Sequence, residues 1–320
     1  MGVDGGAILS GAVILVFPGQ GSQKPGMAKD LADAFPKAKE MLQEVDDALG
    51  APLSQIMFDG PADKLTATHN AQPALLVHGA IVWSLVKERI GTVSAAAGHS
   101  LGEHTAYHAA GSTTLADAVR VVRARGELMH QAGVKRPGAM AAILGELSTP
   151  VEDICHRASE AGEVVPANYN SDVQIVVSGE IAGVERAMEL AREAGAKRAV
   201  RLPVAGAFHS PLMKPAESGL REAVDGATFV DPSFPVYSNV TATPCTTADC
   251  ARDTLVRQLT SPVRWTDEVR NMAAAYPGAT WIEMGPGNVL TGLISRAVSG
   301  ARALQCGTPA EIDKLFATIQ

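Results

Sequence analysis

Strand-like and helix-like hydrophobic patterns alternate along most of this chain. The continuous apolar run from Val13 to Phe17 predicts a strand buried on both faces, and it stops abruptly at Pro18-Gly19-Gln20-Gly21. Small residues from Val93 to Ala97 predict a second, tightly packed central strand. Helical patterns lie between the two, at Ala38 to Leu49 and Pro73 to Glu88. This order favours an α/β fold.

The middle of the chain has a different order of elements. Between Gly138 and Leu202 the patterns read strand, helix, strand, strand, helix, strand, which is the order of a ferredoxin-like unit. Further strand and helix patterns follow at Val236 to Ser238, Ala248 to Leu259, Thr266 to Ala275 and Trp281 to Met284. We therefore expect a small domain at 137–204, inserted into a large domain formed by 1–136 and 205–320.

Composition and charge exclude several classes of protein. The chain has 320 residues, 46% of them hydrophobic and 19% charged, which is typical of an ordered globular protein. Its formal net charge of −7 argues against a general nucleic-acid-binding protein. Met1 to Ser10 lack the basic region of a signal peptide, and no segment has the roughly 20 apolar residues of a membrane helix. We expect a cytoplasmic protein that does not bind membranes.

The cysteines give no sign of a metal site. Cys155, Cys245, Cys250 and Cys306 form no CxxC motif, and no histidine pair follows Cys245 and Cys250 at zinc-ligand spacing. Free thiols in a reducing cytoplasm are the expectation.

A nucleophilic serine is predicted at Gly98-His99-Ser100-Leu101-Gly102. This stretch matches G-x-S-x-G and has the required context, with a short strand before it and a helix-competent run, Glu103 to Ala110, after it. The glycines allow a turn sharp enough to expose the Ser100 hydroxyl. A helix N-cap serine between two chance glycines is the alternative.

His209 is the best candidate for the base that such a serine needs. It lies at the junction between the last strand of the small unit and the next helix, on a loop that could return to Ser100. Other histidines, such as His69, His78, His130 and His156, occupy ordinary helical or loop settings.

An arginine lies on the apolar face of a predicted helix. From Leu115 to Met129 the helical period places Arg120, Arg123 and Glu127 on the solvent side, with Arg123 and Glu127 as an i,i+4 pair. Arg125 falls near the centre of the apolar stripe, where an unpaired guanidinium would be costly. It is therefore a candidate clamp for a substrate carboxylate; an intramolecular salt bridge, or a side chain that reaches out to solvent, is the alternative.

These motifs together resemble the malonyl-CoA:acyl carrier protein transacylases, including the acyltransferases of polyketide synthases. The resemblance runs from about Val13 to Ile294. It is carried by Phe17-Pro18-Gly19-Gln20-Gly21-Ser22-Gln23, Gln72-Pro73-Ala74-Leu75, Gly98 to Glu103, Arg125-Gly126-Glu127-Leu128-Met129, Gly138 to Ala142, Asn168-Tyr169-Asn170-Ser171, Phe208-His209-Ser210 and Val256 to Leu259, with Ser261-Pro262-Val263 close behind. Eight blocks in the family's order are far more specific than one G-x-S-x-G.

The resemblance implies an α/β-hydrolase-like large domain with an inserted ferredoxin-like small domain. It also implies Ser100 as the nucleophile, His209 as the general base and the main-chain carbonyl of Gln258 as the group that orients the imidazole. Backbone amides of Gln20 and Leu101 would form the oxyanion hole.

The implied reaction moves a malonyl group from malonyl-CoA to Ser100 and then to the phosphopantetheine thiol of an acyl carrier protein. Arg125 would hold the free malonyl carboxylate, and no metal or redox cofactor is needed. Phe208, which the resemblance associates with malonyl selectivity, either fills the space of an α-methyl group or is simply part of the core. A monomer is the default for the family.

Two other functions share part of this pattern. A serine esterase or thioesterase would pass the acyl group to water, but it has no use for a buried arginine such as Arg125. An inactive docking module for carrier proteins would have no need to retain Ser100, His209, Gln20 and Arg125 together. The resemblance leaves open whether the carrier serves fatty acid or polyketide synthesis.

The sequence does not assign a function to several further residues. His104 stands where the family usually has an aromatic residue, and we assign it no role. Candidates for contact with a phosphate or a carrier protein, or simply solvated charges, are Lys135, Arg136, Lys197, Arg198, Arg201 and Lys214.

Overall fold

The structure, a computed structural model, describes residues 11–204 and 206–318. Its strands are β1 (Val13–Phe17), β2 (Val93–Gly98), β3 (Gly138–Leu144), β4 (Val164–Ser171), β5 (Gln174–Glu180), β6 (Arg198–Arg201), β7 (Val236–Tyr237), β8 (Pro244–Cys245), β9 (Thr280–Met284) and β10 (Arg302–Cys306). Its α-helices are α1 (Lys29–Ala34), α2 (Pro36–Leu49), α3 (Leu53–Asp59), α4 (Ala62–Thr66), α5 (Thr68–Ile90), α6 (Leu101–Ala109), α7 (Leu115–Lys135), α8 (Val151–Ala158), α9 (Ile181–Glu193), α10 (Glu217–Asp225), α11 (Ala248–Arg257), α12 (Trp265–Ala275), α13 (Val289–Ala297) and α14 (Pro309–Ala317). A 3₁₀ helix covers Pro211–Ala216.

The larger sheet has six strands in the order β10-β9-β1-β2-β7-β8. Its neighbours pair in parallel except for β8, which runs antiparallel to β7. Every residue of β1 is buried: Leu15 belongs to the hydrophobic core on one face, and Ile14 and Val16 to the core on the other. The predicted two-sided burial of this strand is confirmed.

The smaller sheet has four antiparallel strands in the order β4-β5-β3-β6. Helices α8 and α9 complete the predicted strand-helix-strand-strand-helix-strand order, and they enclose a separate core with residues such as Ile154, Val177 and Leu190. The α/β class and the ferredoxin-like arrangement are thus as predicted. The boundary at 137–204 stays a proposal, and the junction residue 205 lies outside the described residues.

Strand β4 connects the two parts beside the carboxyl end of β2. The amide of Tyr169 donates to the carbonyl of Val263, and the amide of Val263 donates to the carbonyl of Ala167. In the same strand, Asn170 Oδ1 accepts a hydrogen bond from His99 Nε2 at 2.8 Å. The small sheet therefore forms one wall next to the turn that carries Ser100.

The expectation of four free thiols is wrong for two of them. Cys245 and Cys250 form a disulfide, because the end of β8 and the first turn of α11 bring their Cα atoms to 5.8 Å, within the range that a disulfide spans. Cys155 and Cys306 are buried free cysteines. The sequence patterns also did not reveal β10 or α14.

No helix in the described ranges is both long and apolar enough to cross a bilayer. The signal-peptide prediction concerns Met1 to Ser10, which lie outside those ranges.

Candidate active site

The turn between β2 and α6 holds Ser100 in a strained backbone conformation, with φ 53° and ψ −110°. A Cβ atom at Gly98 would collide with the backbone of Gly102, and one at Gly102 with the carbonyl of Phe17. Only glycine fits at either position. Although Ser100 occupies the N-cap position of α6, its side chain makes no capping hydrogen bond, so the alternative of a capping serine is wrong.

The Ser100 hydroxyl instead faces His209. Ser100 Oγ lies 2.8 Å from His209 Nε2, and His209 Nδ1 donates to the main-chain carbonyl of Gln258 at 2.9 Å. This pairing requires Nε2 to accept the serine proton. The loop before the 3₁₀ helix gives His209 a positive φ of 58°, which turns its buried ring toward the serine.

Burial keeps this imidazole neutral. Desolvation, reinforced by the nearby positive charge of Arg125, lowers the pKa of His209 to about 3. A neutral imidazole with a free Nε2 lone pair is the form that can take a proton from serine.

Arg125 reaches the same hydroxyl from α7. Its side chain is 1% exposed, and Nη2 donates to Ser100 Oγ at 3.1 Å and to Gln258 Oε1 at 2.9 Å, while Nη1 donates to Gln72 Oε1 at 2.5 Å. No carboxylate of the described chain lies within ion-pair distance of it. Both alternatives, a salt bridge and a side chain extended to solvent, are therefore wrong, and a buried cation meets only neutral acceptors.

Arg123, two residues earlier, does not form the predicted pair with Glu127. Its Nη1 donates to Asn70 Oδ1 at 2.7 Å instead, because the helix packs beside the start of α5. Arg120 is exposed, as predicted, and lies 3.6 Å from Asp117.

Two backbone amides proposed for an oxyanion hole lie at corresponding ends of adjacent strands. Strands β1 and β2 are parallel neighbours with Phe17 opposite Gly98, so Gln20 and Leu101 each follow their strand by three residues. The amide of His99 donates to the carbonyl of Phe17 at 3.0 Å, which holds the two turns together. Both amides thus come to the side of the sheet where Ser100 lies.

Phe208 and His104 are buried beside these groups. Phe208 is 6% exposed, belongs to the large core, and its ring lies close to Gly206. His104, on α6, has no hydrogen-bond partner for Nε2 among the described residues, and burial with the charge of Arg125 lowers its pKa well below the usual value. Neither observation assigns a role to His104.

Three buried residues of the site were not predicted from the sequence to have a function there. Asn239 Oδ1 accepts from the amide of Ser100 at 2.8 Å, Glu103 Oε2 accepts from Gln258 Nε2 at 2.6 Å, and Glu268 Oε1 accepts from Asn239 Nδ2 at 2.9 Å. All are fully buried. Glu268 shares the apolar stripe of its helix, the signal that had singled out Arg125.

The six basic candidates divide into two groups. Three form ion pairs within the chain: Arg136 with Glu163 and Glu180, Arg201 with Glu185, and Lys214 with Glu217. The remaining three, for which the described residues provide no ion-pair partner, are Lys135, Lys197 and Arg198. Residues 11–204 and 206–318 contain no cluster of three or more histidine, cysteine or acidic side chains that could bind a metal ion.

Comparison with known proteins gives consistent matches over almost the whole chain. Residues 14–309 match the acyl transferase domain family. The malonyl CoA-acyl carrier protein transacylase of Bacillus subtilis is 43% identical over 309 residues, which covers 96% of this chain and 97% of that protein.

Solved structures agree with these sequence matches. The acyl-carrier-protein S-malonyltransferase of Bartonella henselae superposes with a TM-score of 0.91 at 42% identity, covering 96% of this chain and 99% of that one. A malonyl-transacylase solved in complex with a type II polyketide synthase acyl carrier protein superposes with a TM-score of 0.91 at 39% identity, with 96% and 99% coverage.

Proposed function

This chain belongs to the acyl transferase domain family, and from that premise we propose that it transfers a malonyl group from malonyl-CoA to the phosphopantetheine thiol of an acyl carrier protein. The substrates correspond to the names of its relatives, among them one whose structure contains a carrier protein. The reaction proceeds through a covalent ester on Ser100.

The observation that carries this proposal is the hydrogen bond of 3.1 Å from Arg125 to the Ser100 hydroxyl. In a malonyl ester the free carboxylate is separated from the ester carbonyl by a single methylene group. A guanidinium beside the nucleophile is therefore at the right range to bind that carboxylate with two parallel hydrogen bonds. An acyl group without a carboxylate would leave the buried cation without an anionic partner.

In the first half-reaction His209 Nε2 accepts the proton of the Ser100 hydroxyl as the oxygen attacks the thioester carbonyl. The carbonyl of Gln258 holds the opposite ring nitrogen, which stabilises the imidazolium that forms. We assign the amides of Gln20 and Leu101 to the developing oxyanion. Collapse of the tetrahedral intermediate breaks the carbon–sulfur bond, and the leaving CoA thiolate takes the proton from His209.

The second half-reaction runs the same steps with a different nucleophile. His209 accepts the proton of the phosphopantetheine thiol, whose sulfur attacks the malonyl ester. The bond to Ser100 Oγ then breaks, and the proton returns to that oxygen. Two products leave at different stages, so ping-pong kinetics are expected.

Acyl selectivity is assigned to two residues. Arg125 selects a carboxylate, and we propose that the buried ring of Phe208 occupies the space that an α-methyl branch would need. A single methyl group changes binding by about 1 to 3 kcal/mol, so discrimination against methylmalonyl-CoA should be modest.

Since all of these groups come from one chain, a monomer suffices for the reaction. We propose that the enzyme works as a monomer in the cytoplasm.

The decisive experiment is intact-mass measurement after incubation with malonyl-CoA or acetyl-CoA, with and without a holo carrier protein. A malonyl adduct should form with malonyl-CoA, should be absent in Ser100→Ala, and should move to the carrier when it is added. Loss of the adduct as free malonate at the same rate without a carrier would identify a hydrolase instead. A wild-type protein that never forms an adduct would refute the proposal.

A further inference from the structure

Behind the nucleophile, the side chain of Asn239 brackets the strained turn. Its Nδ2 donates to the carbonyl of Gly98 at 2.8 Å, and its Oδ1 accepts from the amide of Ser100 at 2.8 Å. Asn239 follows β7, the parallel neighbour of β2. Beyond the end of β7, its side-chain carboxamide takes the place of a strand backbone and hydrogen-bonds to the main chain that continues from β2. The two consecutive peptide groups that lead into Ser100, Gly98–His99 and His99–Ser100, are thereby both held by one side chain.

Every polar position of this asparagine is in use. Nδ2 donates a second hydrogen bond to Glu268 Oε1 at 2.9 Å, and Oδ1 accepts a second one from Gln258 Nε2 at 3.1 Å. The main-chain amide donates to Glu103 Oε2 at 3.1 Å. Nδ2 supplies two N–H donors and Oδ1 supplies two acceptor positions. Among the side chains, only a carboxamide provides this combination. An aspartate would place acceptors against the carbonyl of Gly98.

Gln258 extends this arrangement to the other groups at the site. Its Nε2 donates to Glu103 Oε2 at 2.6 Å and its Oε1 accepts from Arg125, while its carbonyl accepts from His209. Asn239 therefore belongs to one continuous network that touches the nucleophile, the base and the guanidinium. These shared hydrogen bonds restrict the relative positions of the three groups, although Glu103 Oε1, Arg125 Nε and Glu268 Oε2 have no partner among the described residues.

Glu268 supports Asn239 from the far side of the network. Its side chain is fully buried on α12, and Asn239 Nδ2 is its one hydrogen-bond partner in the described chain, since Oε2 has none. Burial, together with the nearby Glu103, raises the pKa of Glu268 well above its usual value, which favours the protonated form. Its Oε1 is the acceptor that holds Asn239 Nδ2 in place.

We propose that Asn239 is a positioning residue of the transfer reaction, which sets the direction of the Ser100 hydroxyl, and that Glu268 holds Asn239 in that role. The proposal depends on the proposed function only through Ser100 as the nucleophile. The side chains of both residues are fully buried and hydrogen-bond to protein groups, so we expect them to act on the reactivity of the serine and not on recognition of malonyl-CoA.

The test uses the full chain with Asn239→Ala, Glu268→Ala and Glu268→Gln. Two rates are measured: labelling of Ser100 by a fluorophosphonate, which needs no malonyl recognition, and single-turnover malonylation over a range of malonyl-CoA concentrations. Asn271→Ala is the matched control, because Asn271 lies on the same helix as Glu268 and donates to the carbonyl of Ala242 at 2.8 Å, with no hydrogen bond to Asn239 or Ser100.

We expect Asn239→Ala to slow both rates by about 10²-fold, with the malonyl-CoA concentration at half-maximal rate changed less than about threefold. Glu268→Ala should slow both by about 10-fold, and Glu268→Gln, which keeps an acceptor oxygen of the same reach, by less than about twofold. Asn271→Ala should match wild type.

Wild-type labelling rates in a folded Asn239→Ala protein would overturn the proposal. If that variant does not fold, the two Glu268 variants provide the test. Equal reductions of both rates in Glu268→Ala and Glu268→Gln would also overturn the proposal. Failure of the proposed function is seen separately: fluorophosphonate would label wild-type Ser100 while malonyl-CoA gives no adduct.

Discussion

Arg125 and Ser100 share a direct hydrogen bond, from guanidinium Nη2 to the hydroxyl oxygen, 3.1 Å long. The cation proposed to bind the substrate carboxylate therefore also touches the nucleophile. A malonyl carboxylate that binds Arg125 must be brought to within a few ångströms of Ser100 Oγ. Recognition of the acyl group and alignment of its carbonyl for attack are then the same event.

Removal of the guanidinium should abolish the preference for malonyl-CoA over acetyl-CoA. In Arg125→Ala, kcat/KM for malonyl-CoA should fall about 10²-fold, since two charge-assisted hydrogen bonds of about 1.5 kcal/mol each are lost. The acetyl-CoA rate should fall much less. Kinetics with both thioesters measure the ratio directly.

Arg123→Ala is the matched control for that variant. Arg123 lies on the same helix and donates to Asn70, remote from the serine, so its removal should leave the ratio unchanged. Unaltered malonyl kinetics in Arg125→Ala would show that the guanidinium does not bind the carboxylate.

The rate of Ser100 malonylation should fall on the acid side only at unusually low pH. Because the pKa of His209 is lowered to about 3, the imidazole stays neutral and able to accept a proton far below its ordinary range. Single-turnover malonylation should therefore not lose half its rate to His209 protonation between about pH 8 and pH 5. In Arg125→Ala one cause of the shift is removed, so this fall in rate should move to higher pH. A wild-type midpoint at the ordinary histidine value would contradict this explanation.

The parts of the site that depend on local chain geometry could be predicted from sequence. Gly98 and Gly102 predict the sharp turn around Ser100, and helical periodicity alone places Arg125 on a buried face. Pairing of Ser100 with His209 was different. It joins positions 109 residues apart, and the order of elements suggested only that the loop could return. The loop position made His209 the best candidate for the base, and the resemblance to a family then implied that role for it.

The polar network behind the serine could be foreseen only in part. Glu268 lies on the buried stripe of α12 with Trp265, Val269 and Met272, so the criterion that found Arg125 would have found it as well. Asn239 carries no such signal, because it follows a strand of only two residues. Strand β10 was missed for a related reason: only its last residue, Cys306, is fully buried, so its pattern of exposure does not alternate.

The disulfide gives a prediction about stability. Cross-linking Cys245 and Cys250 closes a short loop, for which the chain-entropy model gives about 2 kcal/mol of stabilisation. Reduction should lower the melting temperature, and Cys245→Ser should no longer respond to the reductant. Thiol labelling of the denatured protein should find two free cysteines before reduction and four after it. Four labelled thiols in the unreduced protein would contradict the pairing.

The raised pKa of Glu268 predicts a pH-dependent effect of its replacement. The folded protein binds a proton at Glu268 that the unfolded chain releases above the ordinary value of 4.5, because burial raises the pKa in the folded state. This group's contribution to stability is fully present below that value and is lost as the pH rises through the raised pKa. Glu268→Gln cannot titrate, so it does not suffer that loss.

The melting temperature of Glu268→Gln relative to wild type should therefore increase as the pH is raised from about 5, until the pH passes the raised pKa of Glu268. The comparison cancels the opposite effect of His209, whose lowered pKa makes both proteins less stable as the pH falls below the ordinary histidine value. Glu222→Gln, which removes an exposed carboxylate on α10, controls for the loss of a negative charge. A constant difference across this range would mean that Glu268 is ionised in the folded protein, and Asn239 would then hydrogen-bond to a buried charge.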